Sequence, residues 1–255
     1  MKKQLFLLGG HDLEMLEIKR LLKNFPDILV FDKGLNWQNA DISSYEDVLN
    51  EYGNKEEVEI YGIELHFKEA SELPFNYHII DHHNEYSEKP SSLEQVANLL
   101  HVNLSRKQQL IAANDKGYIP AMQKMGATTE EIEEIRFLDR QAQGVTSEDE
   151  QKAEASVREK IVKKDVIVVK ALTHRFSPIC DRLYPYKKLL IYTSDTLVFY
   201  GTGKKKVVEH YIEAIKNGKM FHGGGDEGFI GTVQGVYENE ELMSIKNKII
   251  NLVSQ

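Results

Sequence analysis

The residues best suited to chemistry form a short run, Asp81-His82-His83, directly after the apolar stretch Tyr77–Ile80. A carboxylate beside imidazoles can bind a divalent metal, or it can orient an imidazole that does so. A run this short could also be an exposed polar turn. Because open α/β sheets carry their sites at the carboxyl ends of strands, the position after an apolar strand favours a functional site.

Other carboxylates lie at comparable places along the first half of the chain. Asp12 and Glu14 follow the first predicted strand, Glu64 follows the third, and Asp115 follows a predicted helix. Hard divalent cations prefer oxygen ligands, and Mn²⁺ also accepts imidazole. Without a cation, crowded acids would repel and raise one another's pKa values. Two cations about 3.5–4 Å apart would remove that repulsion, activate a water and neutralise charge on a phosphate. These residues therefore predict a site for one or two Mn²⁺ ions, with Mg²⁺ as the alternative.

The elements that must position these residues are predicted from periodicity. Short apolar runs of strand type alternate with stretches whose apolar residues recur at helical spacing. The runs lie at 4–8, 27–32, 57–62 and Tyr77–Ile80, and the helical stretches at 13–23, 44–52, 91–100 and 106–114. Ser91 with Glu94 three residues later is typical of a capping box. Alternating strands and helices predict an α/β lobe with a mainly parallel sheet and helices on both faces.

The composition changes after this lobe. Glu, Gln, Lys, Ala and Arg dominate residues 128–164, which predicts two helices broken near residues 144–147. Strand runs at 165–172, 189–192 and 196–200, with helical stretches at 205–216 and 240–253, predict a second, smaller α/β lobe. We therefore expect three segments: a metal-binding lobe at 1–127, a helical connector at 128–164 and a second lobe at 165–255.

Composition excludes several classes of protein. The formal net charge of −8 argues against a broad surface for duplex nucleic acid. No run approaches the roughly 20 apolar residues that a membrane span needs, so no membrane association is expected. The short apolar run at the start soon meets His11 and Asp12, which favours a first strand over a signal peptide. The single cysteine, Cys180, fits a reducing compartment, and we expect a cytoplasmic protein.

The chain resembles the DHH phosphoesterase superfamily, whose named motif stands here as Asp81-His82-His83. The family's opening acids match Asp12 and Glu14, its isolated acid Glu64 and its last acid Asp115, with Glu replacing Asp at two of these positions. The resemblance implies catalytic roles for the named motif. It implies that the metal ligands are His11, Asp12, Glu14, Glu64, His82 and Asp115. For His11, a role in supporting a ligand without binding the metal is equally open, because it directly adjoins Asp12.

The resemblance extends into the second lobe, where family members often carry a glycine-rich segment that holds the phosphate end of the substrate. The corresponding residues here are His222, Gly223, Gly224 and Gly225. The histidine expected after the glycines is replaced by Asp226 and Glu227. The glycines could also form only a flexible turn. His83 and Arg175 are further substrate-binding candidates, and a surface hydrogen-bonding role for Arg175 stays open.

The resemblance implies a divalent-metal-dependent phosphohydrolase or phosphodiesterase that acts on a small nucleotide or short oligonucleotide through a metal-activated water. The alternative is a degenerate, catalytically silent member that binds a nucleotide or a partner. The two Glu replacements and the missing histidine motivate this alternative.

Two weaker signals have plainer interpretations. Trp37, between Asn36 and Asn39, could stack on a base, although one aromatic residue in a polar loop is usually packing. The segment 201–206 resembles a phosphate loop but lacks the full motif, and a hairpin exit that leads into a helix is favoured.

Overall fold

Two separate β-sheets organise the chain, which we describe from a computed structural model covering residues 2–37, 39–67, 72–225 and 227–254. Asp226, one of the residues that replace the expected histidine, lies outside the described residues. The chain divides into two compact units, Met1–Gly144 (unit 1) and Val145–Gln255 (unit 2). Each unit contains one of the sheets. In the described part of the chain, no helix is both long enough and apolar enough to cross a membrane.

Unit 1 is built on a four-stranded sheet with the order β2-β1-β3-β4, in which all neighbouring strands are parallel. The strands are β1 (Lys3–Leu8), β2 (Leu29–Phe31), β3 (Val58–Ile63) and β4 (Tyr77–Ile80). The α-helices are α1 (Leu13–Leu22), α2 (Glu46–Tyr52), α3 (Ser92–Leu99), α4 (Arg106–Lys124) and α5 (Thr129–Ala142). Short 3₁₀ turns lie at Ile42–Tyr45 and Asn84–Tyr86.

The sheet of unit 1 is covered on both faces. Leu5 and Leu7 of β1 pack with the fully buried Tyr45 in one core cluster. Phe6 and Leu8 point to the opposite face, because side chains alternate along a strand, and they are also buried. The predicted mainly parallel sheet with helices on both faces is confirmed.

Local signals explain where several helices begin. Asp12 caps α1, and its carboxylate accepts the backbone N–H of Met15. Ser91 and Glu94 form the predicted capping box of α3. The helix predicted at 106–114 is longer in the structure: α4 continues across non-helical backbone at Gly117 and Tyr118. Asp115 therefore lies within α4, just before this break, rather than after the helix.

Unit 2 contains a mixed six-stranded sheet with the order β5-β6-β7-β8-β10-β9, in which only β6 and β7 are parallel neighbours. The strands are β5 (Ile161–Lys163), β6 (Val166–Lys170), β7 (Lys188–Tyr192), β8 (Leu197–Gly201), β9 (Met220–Gly223) and β10 (Phe229–Thr232). The helices are α6 (Ser147–Arg158), α7 (Ser177–Leu183), α8 (Lys204–His210), α9 (Ile212–Lys216) and α10 (Asn239–Val253). Buried residues of β8 and α10, among them Phe199 and Leu242, share one core cluster.

The segment 128–164, predicted as a helical connector, contains α5 and α6, and the boundary between the units falls between them, at Gly144. Helix α5 packs on α1 and α4 within unit 1, and α6 packs on α7 and β6 within unit 2. The two predicted helices are present, and each belongs to a different unit. The functions assigned to the segments stay predictions.

Candidate metal centre

The carboxyl ends of β1, β3 and β4 meet at one edge of the parallel sheet, and acidic or imidazole side chains follow all three. Asp12 comes shortly after β1, Glu64 directly after β3, and His82 after β4. Gly9 allows the chain to leave β1 close to the end of β3. A Cβ at this position would lie 2.4 Å from the carbonyl oxygen of Ile63 and 2.5 Å from that of Glu64. The glycine after β1 therefore helps to bring the first acids towards Glu64.

The imidazole of His82 lies at the centre of a group of carboxylates. Its Nε2 atom is 2.7 Å from Oδ2 of Asp115, 3.3 Å from Oε1 of Glu64 and 3.5 Å from Oε2 of Glu14. One donor atom each from Glu64, His82, His83 and Asp115 lies within 4.8 Å of the others. Residues from four separate parts of unit 1 thus converge at this site.

Four of the converging atoms have no hydrogen-bond partner among the residues that the structure describes. They are buried, and they are Oε2 of Glu14, Oε1 of Glu64, Nε2 of His82 and Oδ2 of Asp115. Buried polar side-chain atoms in folded proteins are nearly always paired. A divalent cation would satisfy all four atoms, and carboxylate with imidazole is a suitable ligand set for one. The residues therefore fit a metal.

The protonation equilibria of the site reflect its crowded acids. Burial, followed by the charges of Asp115 and Glu64, raises the pKa of Asp12 well above its ordinary value. Burial also raises the pKa of Glu14 to about 8, although His82 opposes the change. Burial lowers the pKa of His82, but the surrounding carboxylates outweigh it and raise that pKa to about 12. A bound cation would favour the deprotonated form of each of these ligands.

Asp81 and His83 form a pair at the rim of the site. Oδ1 of Asp81 accepts the backbone N–H of His83 at 2.8 Å and lies 3.0 Å from its ring Nδ1. Burial raises the pKa of Asp81, but these contacts outweigh burial and lower it. Asp81 is also the main cause of the raised pKa of His83. The pair orients the ring of His83.

The two histidines of the motif differ in exposure. The side chain of His82 is 3% exposed, whereas that of His83 is 38% exposed. Their rings lie 4.3 Å apart between centroids. The buried imidazole thus lies among the acids, and the other is open to solvent.

A buried hydrogen-bond network next to Asp115 was not predicted from the sequence. Nη1 of Arg136 donates to Oδ1 of Asn114 at 2.9 Å and to Oδ2 of Asp139 at 2.7 Å. The guanidinium carbon lies 4.4 Å from the centroid of the Tyr118 ring, at the break in α4. Arg136 and Asp139 are three residues apart in a stretch whose polar composition indicated only a connector. Their spacing on one helix face was the available signal.

The remaining predicted metal residues differ in position. Asp12 is 3% exposed and is not in the group of converging donor atoms found among the described residues, while burial, then the charges of Asp115 and Glu64, raises its pKa. His11 is exposed and is not in the group of converging donor atoms found among the described residues. The structure therefore brings Glu14, Glu64 and Asp115 to His82, buries Asp12 and leaves His11 at the surface.

The predicted substrate-binding residues of unit 2 lie partly in the β9–β10 hairpin. Gly223 ends β9, and Gly224 and Gly225 follow it with φ values of 71° and 60°, a conformation that favours glycine. His222 in β9 is exposed, as is Arg175, which lies between β6 and α7.

Lys204, the first residue of α8, holds residues 223–225, the glycine loop, in place. It is buried, and its amine donates to the carbonyl oxygen of Gly223 at 3.0 Å and to that of Gly225. The segment 201–206 thus leaves β8 and enters a helix, as predicted. Its lysine holds glycine carbonyls.

No protein-family model and no curated protein matches the chain. It is similar to solved structures, among them the pGpG-specific phosphodiesterase PggH from Vibrio cholerae, at 12% identity and a TM-score of 0.48 over 99% of both chains. RecJ in complex with Mn²⁺ from Thermus thermophilus has 10% identity and a TM-score of 0.48, over 99% of this chain and 52% of RecJ. The chain thus spans about half the length of RecJ.

A third similar structure is the DHH domain of a member of the s1p family of ribosomal proteins. It has 13% identity and a TM-score of 0.45, over 94% of this chain and 74% of that domain.

Proposed function

We propose that unit 1 carries a divalent-metal-dependent phosphoesterase site, which hydrolyses a small nucleotide or a short oligonucleotide. The observation that supports this most directly is that four buried donor atoms, which have no hydrogen-bond partner among the described residues, converge at the carboxyl edge of the sheet. An acid-lined site of this kind would repel a phosphate unless cations were bound there. A metal requirement and an anionic substrate are therefore consistent with each other.

We assign the metal to the inner residues of the site. The proposed ligands are Asp12, Glu14, Glu64, His82 and Asp115, with His11 as an additional ligand at the surface. Bound divalent cations would supply positive charge for the phosphate and lower the pKa of a water. Mn²⁺ is the proposed ion because the set mixes imidazole with carboxylates, and Mg²⁺ is the alternative.

We assign the exposed pair of the motif to the substrate. Asp81 holds the ring of His83, and its carboxylate favours the protonated imidazole, which can donate a hydrogen bond to a phosphate oxygen. In unit 2, we propose Arg175, His222 and the glycines 223–225 as contacts for the free end of the substrate. A guanidinium matches two phosphate oxygens, and left-handed glycines allow a close approach of the backbone.

The two glutamates that replace aspartates bear on the alternative of a silent binding protein. Glu64 has a φ of 50°, and its Oε1 lies 3.3 Å from Nε2 of His82. Oε2 of Glu14 lies 3.5 Å from the same nitrogen. Both longer side chains thus reach the site, which supports the active form of the proposal. Cys180, the single cysteine, is buried, which fits the proposed reducing cytoplasm.

The test combines metal binding with turnover. The purified full chain is stripped with chelator, and Mn²⁺ binding is measured by calorimetry. Hydrolysis of bis(p-nitrophenyl) phosphate and of a dinucleotide is then measured with and without Mn²⁺. We expect stoichiometric binding of one or two ions and turnover only with metal. Metal and nucleotide binding without turnover would establish the silent alternative, and absence of metal binding would overturn the proposal.

A further inference from the structure

We propose that Trp37 is the surface on which a base of the substrate stacks, which makes it a specificity-determining residue of the candidate site. This inference rests on the proposed phosphoesterase function. It narrows the substrate class to phosphate esters that carry an aromatic base, as opposed to pyrophosphate or sugar phosphates. Three features of the described residues support it: the packing of the indole on Gly10, the turn that carries Trp37, and the position of the indole beside His83.

The indole of Trp37 packs directly on Gly10. A Cβ at this position would lie 2.8 Å from Cδ2 of Trp37 and 3.1 Å from Cε2, the two atoms where the indole rings join. A larger residue at position 10 would therefore push the ring away. Gly9 and Gly10 thus have separate tasks, because the first permits the close approach of β3 and the second accommodates the aromatic ring.

The turn that carries Trp37 is held by its neighbours. The backbone N–H of Asn36 donates to Oδ1 of Asn39 at 2.7 Å, and that of Asn39 donates to Oδ1 of Asn36 at 3.2 Å. Leu35 and Ala40, on either side of the turn, are buried in the core of unit 1. An aromatic side chain held in place before binding loses little conformational entropy when a ligand stacks on it.

The position of the indole connects it to the candidate metal centre. Its ring centroid lies 5.3 Å from that of His83, with the rings at 73°. Trp37 nevertheless stays 37% exposed, although it rests on Gly10 and on His83. A base is the uncharged, flat part of a nucleotide, and it suits an uncharged aromatic surface beside a cluster of acids.

A direct test uses the fluorescence of the protein, because Trp37 is its only tryptophan. The full chain with Mn²⁺ bound is titrated with a non-hydrolysable dinucleotide analogue and with an abasic form of the same analogue, and binding of each is measured independently by calorimetry. We expect saturable quenching by the dinucleotide and little change with the abasic analogue. Equal quenching by both ligands, bound dinucleotide without quenching, or no dinucleotide binding would each overturn the inference.

Two variants provide a second test. Trp37→Leu removes the aromatic ring and Trp37→Phe keeps one, and circular dichroism verifies that both fold. We expect the preference in kcat/KM for dinucleotide over abasic dinucleotide to fall about 5- to 150-fold in W37L, which is the range that stacking of one base provides. W37F should recover most of the preference. An unchanged preference in W37L would contradict the role of Trp37.

The two proposals fail in distinguishable ways. Turnover of both dinucleotides without quenching or loss of preference would leave the phosphoesterase function standing and overturn the role of Trp37. Quenching by the dinucleotide without any turnover would overturn the phosphoesterase function, and would show that Trp37 contacts a base in a protein that only binds.

Discussion

The candidate metal centre of unit 1 and the glycine loop of unit 2 differ in whether their buried polar groups have hydrogen-bond partners. In the metal centre, four donor atoms converge without hydrogen-bond partners among the described residues. In the loop, the buried amine of Lys204 donates to the carbonyls of Gly223 and Gly225. Leaving a buried polar group unpaired costs about 1–3 kcal/mol. A cluster of such groups therefore favours a ligand site, whereas a satisfied network indicates a part of the fold.

The largest expected effect comes from removing one carboxylate of the metal centre. Asp115→Asn keeps the shape of the side chain but removes the charge that lies 2.7 Å from Nε2 of His82. We expect Mn²⁺ affinity and turnover to fall by more than the roughly 10- to 100-fold that changes behind a metal ligand cause. Calorimetry and hydrolysis of bis(p-nitrophenyl) phosphate measure the two quantities.

The matched control is Asp47→Asn, which makes the same chemical change at the surface of unit 1. The carboxylate of Asp47 is 68% exposed and pairs with Lys33. We expect metal affinity and turnover in this variant within about twofold of the wild type, because exposed pairs contribute little. If D115N bound Mn²⁺ as tightly as D47N, Asp115 would not be a ligand.

The second prediction concerns the network behind Asp115. Arg136→Met removes the guanidinium that pairs with the buried carboxylate of Asp139, which keeps its hydrogen bond from Gln143, and loss of one member of a buried pair costs about 3–5 kcal/mol. Arg106→Met removes an exposed pair with Glu131 and should cost less than about 1 kcal/mol. Urea unfolding of unit 1, followed by the fluorescence of Trp37, gives both values.

The same variants show whether the network around Arg136 also supports metal binding at the candidate metal centre. R136M should lower Mn²⁺ affinity by about 10- to 100-fold, since Arg136 holds α4 on both sides of Asp115. R106M should not change the affinity. Equal stability losses in R136M and R106M would mean that the buried network does not stabilise unit 1.

The third prediction concerns the glycine loop of unit 2. Lys204→Met leaves the carbonyls of Gly223 and Gly225 without the amine, and we expect unit 2 to lose about 1–3 kcal/mol of stability. Hydrogen exchange in the β9–β10 hairpin should rise, while Mn²⁺ binding stays unchanged. Lys205→Met alters an exposed neighbour and serves as the control. A loss of Mn²⁺ binding in K204M would contradict the division between a metal site and a satisfied loop.

Local patterns in the sequence were enough to predict much of the fold. The strands of unit 1 are marked by apolar runs, and Ser91 with Glu94 marks the start of α3. Likewise, the position of Asp81-His82-His83 after β4 follows from its place beyond an apolar stretch. These features depend on residues close together in the chain, which is why a single sequence reveals them.

Features that depend on distant residues were not predicted. Arg136 contacts Asn114, 22 residues away, and its partners could not be read from the composition of α5. Two further elements were missed for local reasons. Glycines dominate the ends of the β9–β10 hairpin. Gly117 and Pro120, which usually interrupt a helix, lie in the extension of α4. The candidate site was predicted by its residue types, but its convergence on His82 required the fold.

The smallest expected effect concerns a charge in unit 2 whose partners are present. Oδ1 of Asp195 lies 2.6 Å from Oγ1 of Thr193 and 2.7 Å from Nε2 of His174, and Gln234 donates to Oδ2 at 2.9 Å. The hydrogen bond from Thr193, then those from His174 and Gln234, lowers the pKa of Asp195 to about 2. A depressed pKa stabilises the fold above the unfolded value of about 4, and this stabilisation is lost as the pH falls from about 4 towards 2.

The variant that measures this contribution is Asp195→Asn. Because the side chain of Asp195 is 34% exposed, solvent screens its charge, and we expect the variant to be less stable than the wild type by under about 1 kcal/mol at pH 6. The difference should shrink by pH 3, where protonation of the wild-type carboxylate begins to remove the same interaction. Thermal unfolding at both pH values measures it, with Glu209→Gln, a change at an exposed carboxylate of unit 2, as a control for general charge effects. A difference that did not change between pH 6 and pH 3 would mean that the carboxylate charge contributes nothing, and that only the shape of the side chain matters at this position.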